Sequence, residues 1–249
     1  MENFVKMMNE KALELGMEDT TFKNCHGIDE DGHVMSSYDI ATLSRALLNT
    51  YPEITNYTTI YMDSLRDGKS NLVNTNKLVR TYKGCTGLKT GSTSSALYNL
   101  SASASRDGTN LIAVVMKAPS SKLRFENASK LLDYGFNNFE YRRLISNEDN
   151  VKKVKVNKGI SDSITAISGS DVGVLISKGK DVNIEQSIFL DDSINAPISK
   201  GQIIGNIEYR LNGEIIGKCD LISSDYVDRI GFASMSILVI KNWFNLLRN

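Results

Sequence analysis

The chain has 249 residues, 41% of them apolar, with 29 Lys+Arg against 29 Asp+Glu, an ordinary globular composition that allows one large domain or two modest ones. Without a basic excess, nucleic-acid binding is disfavoured. Three scattered cysteines, Cys25, Cys85 and Cys219, form neither a disulfide framework nor metal-ligand spacing, and the opening MENFVKMMNEKALEL carries Glu2, Lys6 and Glu10 where a signal peptide would be apolar.

The first segment reads as a helix, with Phe4, Met8, Ala12 and Leu15 at helical spacing and Gly16 at its end. A polar loop, FKNCHGIDEDGHVMSS, follows. Ser36 and Asp39 form a capping-box pattern before a second helix with Ile40, Leu43 and Leu47 on one face, stopped at Tyr51-Pro52. The period then changes to two. Leu100, Ala102 and Ala104 alternate with Ser101, Ser103 and Ser105, Arg106-Asp107-Gly108 turns the chain, and Leu111–Met116 reads as a buried strand. GLKTGST, just upstream, is thus the first of three consecutive antiparallel strands. A helix with Ala128, Leu131 and Leu132 inward and Gly135 at its end completes this part.

After about residue 145 helical periodicity disappears. Short strands such as Lys153–Val156 and Gly173–Ile176 are punctuated by glycine turns, and Asn212-Gly213 is a strong hairpin signal. The tail from Arg229 is helical again, with Phe232, Val239, Trp243, Leu246 and Leu247 on one face. Lys241 and Asn242 break its apolar run, which is too short to span a bilayer. A tryptophan-bearing amphipathic helix fits a membrane surface; docking on the chain's own β domain or on a partner is the alternative.

GLKTGST has two readings. One is a solvated glycine-rich turn. The other is chemical: an ammonium beside a hydroxyl offers two donors to one carboxylate, and the glycine after them lets an extended peptide lie close to the strand. The neighbours decide. VNTNKLVRTYKGCTGLKTGSTSSALYNLSASASRDGTNLIAVVMKAPSSKLRFENASKLLDYGF, with HGIDEDGHVMSSYDIATLSRALL upstream and APISKGQIIGNIEYRLNGEIIG downstream, closely resembles the serine-type D-alanyl-D-alanine carboxypeptidases. These are the low-molecular-mass penicillin-binding proteins, and the likeness is greatest to the sporulation-type branch of Gram-positive bacteria.

The resemblance implies an α+β fold: the C-terminal part of a penicillin-binding-protein/β-lactamase-like transpeptidase domain (1–145), a small all-β domain (146–228) and an amphipathic helix (229–249). It implies that Lys89 and Thr90 bind the terminal carboxylate of a stem peptide ending in D-Ala-D-Ala, that Gly91 keeps the strand open, and that the backbone N–H of Ser92 serves the oxyanion hole. It also implies β-lactams as inhibitors and a place on the extracytoplasmic face of the cell membrane. Cofactors and metals are not implied. One departure is Ala96-Leu97-Tyr98, where the family often has Ala-Gly-Tyr.

The family's nucleophilic Ser-x-x-Lys and its Ser-x-Asn lie upstream of everything matched. The literal Ser177–Lys180 sits in a glycine turn and Ser193-Ile-Asn195 is a similar accident. The chain is therefore expected to be inactive alone, because acyl transfer needs a nucleophile and a base as well as a binding strand. A non-catalytic docking module is the competing reading. His26 and His33, seven apart in an acidic turn, read as a structural loop, and Cys85, with no histidine beside it, as a small buried residue.

Overall fold

A computed structural model describes residues 1–180 and 182–232. The chain divides into two compact units, Met1–Glu140 and Tyr141–Asn249. Of the tail residues read as membrane-anchoring, Val239, Trp243, Leu246 and Leu247 lie outside the described residues, and Phe232 is 90% exposed. No described helix is long and apolar enough to cross a membrane.

In the first unit α1 (Glu2–Glu14) turns Val5, Met8, Ala12 and the following Leu15 inward, with Gly16 at φ +74 just beyond. Phe4, expected on that face, is exposed: the buried stripe begins one residue later. The next helix, α2 (Ser37–Thr50), starts as its sequence demands, the Ser36 side chain accepting from the Asp39 N–H. Asp39 does not complete a reciprocal capping box. It is buried, and its carboxylate accepts from the Asp19 N–H at 3.0 Å and the Thr20 hydroxyl at 2.6 Å, tying down the preceding loop.

The face that α2 buries also differs from expectation. Leu43 and Leu47 are each 37% exposed, whereas Ser44 is buried and shares a 2.8 Å hydrogen bond with Ser101 of the sheet. Hydrophobic spacing selected the helix but not its inward side, because the sheet surface it meets is mixed, with the hydroxyls of Ser101 and Ser103 beside their register partners Val114 and Ile112.

A 3-10 turn (Pro52–Ile54) and α3 (Thr55–Thr58) lead to a hairpin, β1 (Met62–Leu65) with β2 (Ser70–Val73), and then α4 (Leu78–Thr81). The central sheet has the order β3-β4-β5, from β3 (Cys85–Thr93), β4 (Leu97–Arg106) and β5 (Thr109–Ala118), antiparallel throughout. Its two faces follow from the alternation in β4. Leu100, Ala102 and Ala104 are buried in a cluster with Phe125, Ala128, Leu132 and Phe136 of α5 (Ser121–Asn138). Ser101 meets α2, and Ser103 shares a 2.7 Å hydrogen bond with Thr86.

Of the inward residues expected on α5, Ala128 and Leu132 are buried but Leu131 is 50% exposed. Gly135 does not end the helix, which runs three residues further. A Cβ there would fall 2.5 Å from Leu111 Cδ1, so glycine allows α5 to cross β5 closely.

The second unit is all strand over its described elements. β6 (Phe139–Ile145), which begins at the division, pairs with β9 (Val172–Ser177). The other strands are β7 (Asn150–Asn157), β8 (Ser163–Ser168), β10 (Ile184–Leu190), β11 (Ser193–Asn195), β12 (Ile203–Leu211) and β13 (Glu214–Ser223). They form one sheet in the order β10-β12-β13-β8-β7-β11. Asn212 and Gly213 turn β12 into β13 with φ of 51 and 85, the conformation that an Asn-Gly hairpin favours. Val154, Ala166, Ile198, Ile207 and Leu221 fill the core.

The α+β architecture thus agrees with the expectation from sequence. Ser177 ends β9 and Lys178-Gly179 is a turn, so the literal Ser-x-x-Lys does not open a helix; Ser193–Asn195 is β11.

Candidate functional site

β3 lies at one edge of its sheet, so its outer side has no strand partner among the described residues. A cavity of about 610 Å³ runs along it, lined by Lys89, Thr90, Gly91, Ser92 and Thr93 on one wall. Cys25, His26 and His33 of the polar loop contribute to the lining, with Thr75 and Arg124. A slightly larger cavity, about 680 Å³, opens between α2 and the serine face of the sheet, away from Lys89.

The four residues read as binding groups therefore share one wall, because the groove runs along the edge strand itself. Lys89 is exposed and its ammonium donates to the Thr90 carbonyl. Thr90 is buried, its hydroxyl 2.7 Å from that of Thr75. A Cβ built on Gly91 would have nothing within 4 Å, so the space above it is open to a ligand. Ser92 is exposed. The wall ends at Thr93, whose hydroxyl donates to Asp29 at 2.7 Å and so links β3 to the polar loop.

That loop is organised from within. Buried Asn24 donates to the Ile28 carbonyl at 3.0 Å and to Glu30 at 2.8 Å, and accepts from the Gly27 N–H. The Nδ1 atoms of His26 and His33 accept from the backbone N–H groups of Ile28 and Lys23. Cys85 is buried, its thiol pKa raised by desolvation, which opposes a nucleophilic role. Cys25 is exposed on the groove and Cys219 is buried in the second unit; all three cysteines are unbridged.

Sequence reading missed two supports of this wall. One is Asn74-Thr75-Asn76. Asn74 holds the Thr58 and Ile60 carbonyls, and Asn76, 1% exposed, donates to the Gly87 carbonyl at 2.8 Å. The two asparagines around a threonine were the available signal, but their partners lie 11 to 16 residues away. The other is Arg124, in the first turn of α5. It is 7% exposed, and burial of its guanidinium lowers its pKa.

Leu97 departs from the family pattern and takes φ +53, a left-handed conformation that suits glycine. Left-handed backbone costs an L-residue about 1–2 kcal/mol, and a glycine loses about 0.5–1 kcal/mol more entropy on folding. Leu97→Gly is expected to raise stability in urea unfolding by about 0.5–1 kcal/mol. A loss instead would show that packing of the leucine side chain outweighs the strain.

Residues 1–120 match the D-alanyl-D-alanine carboxypeptidase family, and residues 139–229 match the penicillin-binding protein 5 C-terminal domain. The D-alanyl-D-alanine carboxypeptidase DacF of Bacillus subtilis is 39% identical over 246 residues, covering 97% of this chain and 63% of that protein. DacC of Escherichia coli is 34% identical, covering 93% and 58%. The chain thus spans about three fifths of the length of these relatives.

Among solved structures, penicillin binding protein 5 from Haemophilus influenzae superimposes with a TM-score of 0.65 at 31% identity, over 91% of this chain and 66% of that one. Penicillin-binding protein D2 from Listeria monocytogenes, in a cefotaxime-bound form, gives 0.51 at 36% identity, over 54% and 55%.

Proposed function

We propose, from the premise that this chain belongs to the D-alanyl-D-alanine carboxypeptidase family of low-molecular-mass penicillin-binding proteins, that its first unit is the substrate-recognition wall of such an enzyme. The reaction is removal of the terminal D-Ala from peptidoglycan stem peptides through a serine acyl-enzyme, with β-lactams as inhibitors. The observation that carries this reading is the groove along the outer edge of β3, where Lys89, Thr90, an open Gly91 and Ser92 follow one another.

Each residue has a physical task in that reaction. An extended peptide lies along β3 as an added strand, using backbone hydrogen bonds for affinity. The Lys89 ammonium and Thr90 hydroxyl take its terminal carboxylate, a charge-assisted pairing that fixes which end of the peptide enters. For this, Lys89 exchanges the Thr90 carbonyl for the ligand. Gly91 lets the peptide backbone approach, and the Ser92 N–H donates to the oxygen that gains charge as the tetrahedral intermediate forms. The acylated serine and its base belong to a Ser-x-x-Lys helix that none of these 249 residues supplies. This sequence therefore binds without cleaving.

Titration of isotope-labelled chain with diacetyl-L-Lys-D-Ala-D-Ala tests this. Amide resonances of residues 89–93 are expected to shift, with little response to the same peptide ending in L-Ala-L-Ala. A labelled penicillin is expected to leave the chain unmodified. Unmoved resonances at residues 89–93 would overturn the recognition role, and stoichiometric labelling would overturn the assignment of the nucleophile.

A further inference from the structure

We infer that Asp29 is a specificity-determining residue of this groove, taking the side-chain ammonium of the third residue from the peptide's C-terminus. The inference rests on the binding mode proposed above, which fixes the direction of the peptide. The terminal carboxylate lies at Lys89 and Thr90, and the carbonyl of the residue before it lies at the Ser92 N–H. The peptide therefore runs antiparallel to β3. At about 3.4 Å per residue, its next residue upstream comes to Ser92 and Thr93, where the wall ends.

Asp29 stands at that end and is fixed there. The Thr93 hydroxyl donates to its Oδ1 at 2.7 Å and accepts from the Ala96 N–H at 2.9 Å, so the one hydroxyl proton is committed to the aspartate. Within the loop, the side chain of buried Asn24 donates both to the Ile28 carbonyl and to the Glu30 carboxylate. The residues before and after Asp29 are thereby tied to Asn24, while the Asp29 carboxylate meets β3. Asp29 is exposed, and its second oxygen, Oδ2, has no hydrogen-bond or ion-pair partner among the described residues.

A carboxylate is more than this latch requires. An asparagine oxygen would accept from Thr93 as well and would hold the loop to the strand without a charge. The charge matters to a ligand. Lys89 sets a cation near one end of the β3 wall, and Asp29 sets an anion at the other. A peptide with a terminal carboxylate and an amine on its third residue carries the opposite charges in the same order. A lysine stem is flexible and four carbons long, which suits it to reach from the strand to the loop, and its ammonium has three donors to offer the open oxygen. Acylation of that amine removes the charge. The groove therefore favours stem peptides whose third side chain ends in a free amine.

The test compares two peptides on the full chain by calorimetric titration: Nα-acetyl-L-Lys-D-Ala-D-Ala, with its side-chain amine free, and diacetyl-L-Lys-D-Ala-D-Ala, with that amine acylated. The unaltered chain is expected to bind the free amine roughly two- to fivefold more tightly, the weight of an exposed ion pair, with the advantage shrinking as salt is added. Asp29→Asn keeps an acceptor for Thr93 and is expected to bind both peptides as the unaltered chain binds the diacetyl one. Asp31→Asn, two residues along the same loop, is expected to keep the preference. Equal affinities in the unaltered chain overturn the inference, and so does a preference that survives Asp29→Asn. An Asp29→Asn chain that weakens on both peptides alike marks a latch alone and also overturns it. If the unaltered chain binds neither peptide, the functional reading falls and takes the inference with it, a result distinct from binding both equally. Should Asp29→Asn not fold, the Asp29 carboxyl carbon resonance of the unaltered chain decides. Movement with the free amine but not with the diacetyl peptide supports the contact, and no movement with either overturns it.

Discussion

Lys89→Ala is expected to weaken binding of diacetyl-L-Lys-D-Ala-D-Ala roughly ten- to a hundredfold, with the fold unchanged. The magnitude comes from the charge-assisted hydrogen bond that the ammonium gives a carboxylate, worth about 1.5–3 kcal/mol. The expected selectivity comes from the structure. Lys89 is exposed at the sheet edge, and its hydrogen bond to the neighbouring Thr90 carbonyl adds little to stability. The melting temperature should therefore stay within a degree or two. Thr90→Ala differs, because that hydroxyl is buried and paired with Thr75, so its loss touches fold and site together. Calorimetric titration beside thermal unfolding separates the two effects. Wild-type affinity in the Lys89→Ala chain would remove Lys89 from the carboxylate site.

The second large effect is on stability. Leu132→Ala is expected to destabilise the first unit by about 3–5 kcal/mol, the cost of emptying a well-packed leucine site. Leu132 is 1% exposed and sits in one cluster with Leu100, Ala102, Ala128 and Phe136. Its neighbours Ala102 and Ala128 have no side-chain length with which to fill the space. Against a total stability of about 5–15 kcal/mol this loss is severe. The unit has only a three-stranded central sheet and an open cavity between α2 and that sheet. Leu131→Ala is the control. With half its surface in water, it should cost less than about 1 kcal/mol. Equal losses for the two variants in urea unfolding would contradict the helix orientation described here.

Both expectations depend on details that sequence reading caught only in part. Helical spacing located α1, α2 and α5, the period of two located β4, and an apolar run after a turn located β5, because these signals lie within one element or beside it. The inward faces were less legible. Phe4, Leu43, Leu47 and Leu131 are apolar and correctly spaced, yet exposed, since the side a helix buries depends on what it meets. The hairpin of β1 and β2 escaped notice: its strands, MDSL and SNLV, are four residues each with largely exposed side chains. For the site, Lys89, Thr90, Gly91 and Ser92 were legible because one strand presents them in order. Asn76 and Arg124 were not, because nothing near them in sequence marks what they hold.

The sequence by itself determined the family, through a long run of residues around Lys89-Thr90-Gly91, and the sites of some of its strands, turns and caps, through local pattern. Ser36 and Asn212-Gly213 act within a few residues of their own positions, so chain order suffices to read them. Only the tertiary structure decided which surfaces close on one another. It put Ser44 of α2, not Leu43, on the sheet, set Gly135 against Leu111, and brought Arg124 to the Gly91 carbonyl 33 residues away. The reason is physical. A cap or hairpin is chosen by the torsions of adjacent residues, whereas a buried hydroxyl pair or a guanidinium between two strands is stable only once non-local packing has excluded water from both partners.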